Sequence, residues 1–373
     1  MPPDPPPPRA PADPIHGEVA TPSEPPSVRS PKPAWLKVKA PGGEKYRHIK
    51  QTLRSLDLYT VCEEARCPNV GECWSAGTAT VMLLGHTCTR GCRFCAVSTG
   101  NPRGYVDPRE PEHVARAIAQ LSLKYVVLTM VDRDDLLDGG AAHMGQAVRA
   151  LHRRQPGLLV ETLVGDFGGR LHDVQTMVES APEVFAHNIE VTRELTPKIR
   201  DPRCSYDQSL AVLEYAKQAA PERFVKSSIM VGLGEDAESV VETMTDLRRV
   251  GVDIVTLGQY LRPTQKHAPV QRFVTPAEFA EYERAGYELG FAFVASGPLV
   301  RSSYHAAEGF VQARLAPGAN TGAQWAQRDA VKLASATPRE VLPPIDSMRS
   351  NDAGLISAAS LVRSTGARSR GQG

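Results

Sequence analysis

Residues 80–95 read TVMLLGHTCTRGCRFC: an apolar run, Thr80–Leu84, passes directly into a loop carrying Cys88, Cys92 and Cys95. A continuous apolar run, rather than an alternating one, predicts a strand buried on both faces, as in a parallel sheet covered by helices. Runs of the same kind return at Tyr125–Met130, Leu158–Leu163, Val184–Val191, Phe224–Val231, Ile254–Leu257 and Phe291–Ala295. Helix-period segments lie between them. Glu112–Leu121 places Val114, Ala117, Ile118 and Leu121 on one face, and Asp207–Ala219 and Ala237–Val250 behave similarly. Alternating strands and helices predict parallel β/α units. The expected fold class is α/β, a partial (βα)6-type TIM barrel with N- and C-terminal extensions. A doubly wound sheet is the alternative that periodicity leaves open. In a barrel, chemistry sits on the loops at the C-terminal ends of the strands, where the cysteine loop falls.

The chain has seven cysteines, six of them between Cys62 and Cys95, with Cys204 alone. A secreted disulfide scaffold is shorter and spreads its cysteines, so two tight triplets point to metal ligation in a reducing compartment. Cys88, Cys92 and Cys95 follow a C-x3-C-x2-C spacing. Three thiolates on one short loop can hold three irons of a cubane cluster. No fourth ligand follows nearby, so one iron is left open, the mark of a reactive site. Gly91 permits the tight wrap that converging sulfurs require. A zinc site or a buried cysteine cluster is the competing reading. Upstream, Cys62, Cys67 and Cys73 are spaced C-x4-C-x5-C. That suggests a second cluster with another role, against a structural zinc or an electron relay.

The remaining composition narrows the class. Over 373 residues, 43 Lys and Arg balance 42 Asp and Glu for a net charge of +1, which gives no nucleic-acid footprint. No window of apolar residues is long enough for a membrane span. The start lacks a basic stretch followed by an apolar run, so no secretory signal is expected, and Asp4, Asp13, Glu18 and Glu24 argue against an acid-poor transit peptide. Residues 1–33 are rich in proline and lack Phe, Tyr and Trp, which predicts a disordered tail. Residues 34–76 form an extension with the upstream cysteines, 77–312 the barrel, and 313–373 a second disordered tail. Within that tail a short helix is conceivable at Val331–Ala334 or Gly354–Val362.

The C-x3-C-x2-C spacing, with Phe94 just before the third cysteine, resembles the radical S-adenosylmethionine superfamily. There the open iron is chelated by the methionine moiety, and the cluster releases a 5′-deoxyadenosyl radical. CEEARCPNVGECW followed by GTATVMLLGHTCTRGCRFCAV looks like the lipoyl synthase family almost residue for residue. YVVLTMVDRDDLLDGGA, HNIEV, KSSIMVGLGE, GQYLRPTQKHAPV and VASGPLVRSSYHA extend the match, from roughly Trp35 to Gly309. The resemblance implies a sulfurtransferase that inserts sulfur at C6 and C8 of a protein-bound octanoyl-lysine. It implies two [4Fe–4S] clusters and two S-adenosylmethionine molecules per product. Cys88, Cys92 and Cys95 bind the radical-generating cluster. Cys62, Cys67 and Cys73 bind an auxiliary cluster consumed as the sulfur source, with Ser303 favoured over Ser302 as its fourth ligand. The implied partners are octanoylated lipoyl carrier domains (2-oxoacid dehydrogenase E2 subunits and the glycine cleavage H protein). An electron donor such as ferredoxin or flavodoxin and an iron–sulfur carrier complete the set, in the cytoplasm, with no nucleic acid and no membrane. An unactivated methylene has no acidic proton, so its chemistry must come from a cofactor.

Other residues carry supporting expectations. Phe94 is placed to pack on the adenine or shield the cluster, or simply to fill the core. Thr129 and Asp132 are placed for the methionine amine, with the Asp132 carboxylate the better complement. For Asp134, Asp135 and Asp138 the competing reading is a solvated acidic loop, which is preferred for Asp138. Met130 stands where the family usually has Ser, which puts a polar role there in doubt. Asn188 and Glu190 resemble the family's HNIET pattern, although Val191 replaces its Thr, and suggest cofactor contacts. Lys226 and Arg262 are candidates for the cofactor carboxylate or the carrier backbone. Arg301 is placed to orient the serine ligand. Cys204, where the family rarely has cysteine, reads as an inert thiol, and His86 and His305 are not needed as ligands. Two other functions stay open: a relative of biotin synthase or of the methylthiotransferases, and a non-catalytic iron–sulfur electron carrier.

Overall fold

The computed structural model describes residues 32–303, apart from 39–41, 57, 65, 66, 68, 77–79 and 122, together with Val311 and Arg314. Most of the two expected tails, the short helices near 331 and 354, Tyr304 and His305 lie outside the described residues. After a single turn at Ala34–Leu36 come α1 (Glu44–Ser55), β1 (Tyr59–Thr60), α2 (Val61–Glu64) and α3 (Val70–Ala76). The barrel follows: β2 (Thr80–Leu83), a small ribbon of β3 (Thr87–Cys88) and β4 (Ser98–Thr99), α4 (Glu110–Leu121), β5 (Tyr125–Met130), α5 (Ala141–Arg154), β6 (Leu159–Leu163) and α6 (Leu171–Glu179). It continues through β7 (Val184–Ala186), α7 (Thr196–Ile199), α8 (Tyr206–Ala219), β8 (Phe224–Val231), α9 (Ala237–Arg249), β9 (Ile254–Gln259), α10 (Pro276–Glu288) and β10 (Phe293–Gly297).

The main sheet runs β1-β2-β5-β6-β7-β8-β9-β10. From β2 to β10 every pairing is parallel. The strand order follows the chain without reversal. A doubly wound sheet needs a reversal, so that alternative fails. The pairs β2–α4, β5–α5, β6–α6, β7–α8, β8–α9 and β9–α10 make six units, closed off by β10. No pairing joins β2 to β10 among the described residues, so the barrel is open on that side.

Burial explains the continuous apolar runs: all six positions of β9 and the first five of β5 are buried. Local signals set the helix starts. Thr275 and Glu278 form a reciprocal capping box on α10, with Pro276 at its first turn. Asp236 caps α9 by accepting from Ser239 N at 2.8 Å. The expected strand Val184–Val191 stops at Ala186 and rejoins the sheet only through a bridge from Glu190 to Ile229. Glu190 has φ 70, a left-handed conformation that no strand accommodates. Lys226, a candidate for binding cofactor, sits instead in the floor of the barrel. Its Nζ donates to both oxygens of Glu161 at 2.8 and 2.9 Å, and Tyr125 OH donates to the same carboxylate at 2.6 Å. A buried cation with its hydrogen bonds satisfied this way is a structural device.

The extension packs as a unit on the barrel edge. Trp74 is fully buried, its ring 5.0 Å from that of Tyr46. β1 pairs antiparallel with β2, Tyr59 opposite Met82 and Thr60 opposite Val81. Because that pairing is antiparallel, β1 ends beside the start of β2, and Cys62, two residues past β1, lies close to Thr80.

Candidate functional site

The loop after β2 begins with a strained turn. Leu84 has φ 67 and Gly85 φ 84. Leu84 is held in that conformation by Glu110, whose Oε2 accepts from Leu84 N at 2.9 Å, and by Arg133, whose Nη1 donates to Leu84 O at 3.2 Å. Strain at the mouth of a site persists only when the surroundings fix it. The loop is then gripped by its neighbours. Thr89 N donates to Asp132 O at 2.9 Å, Gly91 N to Asp201 Oδ2 at 2.8 Å, and Arg93 N to Ile199 O at 2.8 Å. Asp201 N donates to Cys92 Sγ at 3.3 Å, and Arg90 N to Cys88 Sγ at 3.4 Å. His267 Nε2 lies 2.9 Å from Cys95 O.

The upstream triplet arrives differently. Cys62 lies in α2 and Cys73 in α3, both buried, and Cys67 N donates to Cys62 O at 3.0 Å between them. Asn69 Nδ2 donates to Leu299 O at 2.6 Å, which ties this segment to the stretch leading to Ser302 and Ser303.

These pieces meet around one cavity of about 490 Å³. Its lining includes Cys62, Cys67, Cys88, Cys92, Cys95, Ser302 and Ser303. Phe94, Thr129, Asp132, Asn188, Glu190, Arg262 and Arg301 line it as well, so the expected cofactor contacts converge. Cys73 sits behind, in the core. Met82, Val97, Met130, Leu163, Ile229, Met230 and Leu261 supply an apolar wall.

The electrostatics are those of buried acids. Burial, with Cys67 nearby, pushes the Cys62 thiol up to about 11. Burial and the Asp132 carboxylate push Cys88 to about 12, and burial pushes Cys95 to about 11. Asp132 rises to about 6 through burial, against the pull of Arg90. Burial likewise raises Glu190. His187 falls to about 4, since burial and the neighbouring Arg200 both oppose a second charge.

The acidic loop is tied down by partners, with Asp134 exposed and Asp135 and Asp138 half-buried. Arg90, only 4 % exposed, pairs with Asp134 and Asp166 at 2.8 Å each and lies 3.7 Å from Asp132. Asp135 pairs with Arg133 at 2.7 Å. Asp138 accepts from Gly140 N and Ala142 N at 2.9 Å, fixing the entry to α5. Cys204 is buried on the cavity wall and receives a hydrogen bond from Arg90 Nη1 at 3.2 Å. The neighbouring Cys92, with Arg200 and Arg90, works against burial and brings the Cys204 thiol down to about 7. Arg200 is a cavity residue that sequence reasoning missed, since nothing in its local pattern separates it from a surface arginine. Its Nη1 donates to Ser209 Oγ at 2.7 Å, and its buried Nε has no partner.

The residues present fit iron–sulfur clusters. Among the described residues no three His, Cys, Asp or Glu side chains converge as a single ion demands. A cubane instead takes each thiolate on a different iron. The buried Nε1 of Trp74 also lacks a hydrogen-bond acceptor, while the indole lies close enough to Cys62 to favour its thiolate. Thiols held neutral by burial lose their protons on metal ligation.

Comparison with known proteins agrees with this geometry. Residues 82–247 match the radical SAM superfamily, and residues 13–67 match the N-terminal domain of lipoyl synthase. The chain is 58% identical to a lipoyl synthase of Sorangium cellulosum over 90% of its own length and 99% of that protein. It is 56% identical to one of Thermus thermophilus, over 78% of this chain and 90% of that one. A mitochondrial lipoyl synthase of Branchiostoma floridae is 53% identical, over 75% of this chain and 76% of that one.

Proposed function

The chain belongs to the lipoyl synthase family of the radical S-adenosylmethionine superfamily, and on that premise we propose that the cavity bounded by both cysteine triplets is where it inserts sulfur into a protein-bound octanoyl chain. The enzyme is a sulfurtransferase that uses two [4Fe–4S] clusters and S-adenosylmethionine, with octanoylated lipoyl domains as substrate. When bound, one cluster and S-adenosylmethionine supply the 5′-deoxyadenosyl radical that takes hydrogen from C6 and C8, and the second cluster supplies the sulfur.

The chain's own residues divide the work. Cys88, Cys92 and Cys95 would hold the radical-generating cluster. Asp132 and Glu190 complement the methionine ammonium and the ribose, Thr129 and Asn188 add hydrogen bonds, and Phe94 covers the loop. Arg200 brings a buried cation with an unused N–H to the wall, suited to a carboxylate. Cys62, Cys67 and Cys73 hold the auxiliary cluster, and Ser303 completes it with an oxygen. An oxygen is a harder donor than a fourth thiolate and suits a cluster that gives up its sulfur. The apolar wall excludes water from the carbon chain.

The observation that carries this reading is the meeting of Cys62, Cys67 and Ser303 with Cys88, Cys92 and Cys95 around one cavity. A biotin synthase relative or a simple electron carrier has no need of the upstream triplet and the serines there. A ferredoxin or flavodoxin is the electron donor in this account, and an iron–sulfur carrier rebuilds the auxiliary cluster. The cytoplasm supplies the reducing conditions that thiolate ligation needs. The experiment is to incubate the reduced, reconstituted protein with S-adenosylmethionine and an octanoylated carrier domain, then weigh the carrier by mass spectrometry. Conversion of octanoyl to lipoyl with two 5′-deoxyadenosine per product supports the reading. An unchanged carrier alongside abundant 5′-deoxyadenosine contradicts it. Ser303→Ala and Ser303→Cys are expected to keep radical formation and stall sulfur insertion. Normal product from Ser303→Ala together with none from Ser302→Ala moves the ligand one residue upstream.

A further inference from the structure

Ser209 puts a hydroxyl in the interior, fully buried on the face of α8 that also buries Leu210, Val212 and Leu213. Its Oγ meets two side chains from outside the helix: His187 Nε2 at 2.9 Å and Arg200 Nη1 at 2.7 Å. His187 Nδ1 in turn lies 2.9 Å from Val164 O. His187 and Arg200 line the cavity, whereas Ser209 stands behind them. Chemistry fixes the direction of every bond in this chain. Val164 O only accepts, so the imidazole proton is on Nδ1. Burial, with Arg200 nearby, lowers the His187 pKa to about 4 and keeps the ring neutral, so Nε2 accepts. Arg200 only donates, so the Ser209 hydroxyl gives its proton to His187 and takes the Nη1–H of Arg200.

We infer that Ser209 and His187 are positioning residues for S-adenosylmethionine: this directed chain fixes the Arg200 guanidinium so that its remaining edge meets the methionine carboxylate. The inference rests on the reading that Arg200 faces that carboxylate. Nε and Nη2 form the side edge of a guanidinium, whose two parallel N–H groups match two carboxylate oxygens. With Nη1 taken by Ser209, that edge is left for a ligand, and its buried Nε has no partner among the described residues. The next residue anchors the arginine beside the cysteine loop, since Asp201 N donates to Cys92 Sγ at 3.3 Å. Asp132, Asp166 and Glu190 line the same cavity, so the competing reading is that Arg200 only balances their charge. A ligand without a carboxylate separates the two.

The test is equilibrium dialysis of full-length, reconstituted protein at equal iron content, without reductant so that no ligand is cleaved. S-adenosylmethionine is compared with its decarboxylated analogue, which keeps the sulfonium and the amine. Ser209→Ala preserves α8, because alanine is the better helix former. It is expected to bind S-adenosylmethionine about tenfold more weakly, the scale of one hydrogen bond to a charged group, and the analogue as wild type does. Arg200→Gln is expected to show the same selectivity with a larger loss. His187→Phe is expected to show a smaller one, because the Ser209 oxygen still accepts from Arg200 but is no longer aimed. Wild-type affinity for S-adenosylmethionine in Ser209→Ala, with weak binding in Arg200→Gln, overturns the proposal. Equal losses of both ligands in Ser209→Ala also overturn it, because the chain then only supports the wall. Wild-type affinity in Arg200→Gln sinks the underlying carboxylate reading instead.

Discussion

The Cys88–Cys95 loop and the Cys62–Cys73 segment reach the same cavity on very different supports. The first springs from β2, the first strand of the parallel barrel, and backbone or side-chain bonds from Asp132, Ile199, Asp201 and His267 grip it along its length. The second hangs from β1, a two-residue edge strand, and is tied to the C-terminal stretch through Asn69 and Leu299. A rigid cradle suits a cluster that must return to the same geometry after each electron. On the proposed assignment, the repeated chemistry would sit on the barrel and the consumed group on the appended piece.

The largest expected effect comes from breaking the rigid side. Arg90→Met strands Asp166, which is fully buried, and leaves Asp134 with Arg203 as its remaining cation. Removing one partner of a buried ion network costs about 3–5 kcal/mol. A fall of several degrees in the thermal midpoint is expected, together with loss of the S-adenosylmethionine-responsive cluster signal. A variant as stable as wild type contradicts the cradle.

Next comes pH. His187, on the cavity wall, contacts Val164 O and Ser209 Oγ at 2.9 Å each, and its folded pKa falls from 6.5 to about 4. A depressed folded pKa gives stability that is present above pH 6.5 and lost as pH falls towards 4. The loss is about 3 kcal/mol. Urea unfolding at pH 7 and pH 4.5 is expected to show that loss in wild type and much less of it in His187→Gln. Equal slopes in the two proteins count against it.

Asn69→Ala sharpens the comparison from the lighter side. Losing the bond to Leu299 O costs about 1 kcal/mol, and the larger consequence is functional. Lipoyl product is expected to fall while 5′-deoxyadenosine formation holds, because only the link between the upstream triplet and the serines has loosened. Equal losses of both products indicate that the two supports are not separable. The smallest effect is expected from deleting residues 1–12, which precede the match to lipoyl synthases at 13–67 and carry little besides proline. Product per enzyme is expected to stay at the wild-type level. A marked loss assigns that segment a docking role.

The parallel strands were legible because burial on both faces writes itself as unbroken apolar runs, as at Tyr125–Met130. Both triplets were legible because their spacing is chemical rather than statistical. Val184–Val191 misled because Glu190 keeps a strand-like neighbourhood while its backbone turns left-handed, and sequence does not announce φ. Lys226 looked functional from its flanking motif, but burial against Glu161 is a tertiary fact. Arg90, Arg200 and Cys204 escaped for the same reason: their partners lie up to 114 residues away along the chain. Asp134 carried no partner in its own stretch of sequence because Arg90 comes from the loop after β2, whereas the partner of Asp135, Arg133, lies within the run itself.

The division of labour between the two triplets is the central claim, and one paired assay tests it most directly. Cys95→Ala and Cys62→Ala are reconstituted identically and incubated with S-adenosylmethionine, a reductant and an octanoylated carrier domain, and 5′-deoxyadenosine and lipoyl product are quantified from the same reaction. Cys95→Ala is predicted to form neither, and Cys62→Ala to form 5′-deoxyadenosine without lipoyl product. Lipoyl product at the wild-type yield from Cys62→Ala would contradict the account.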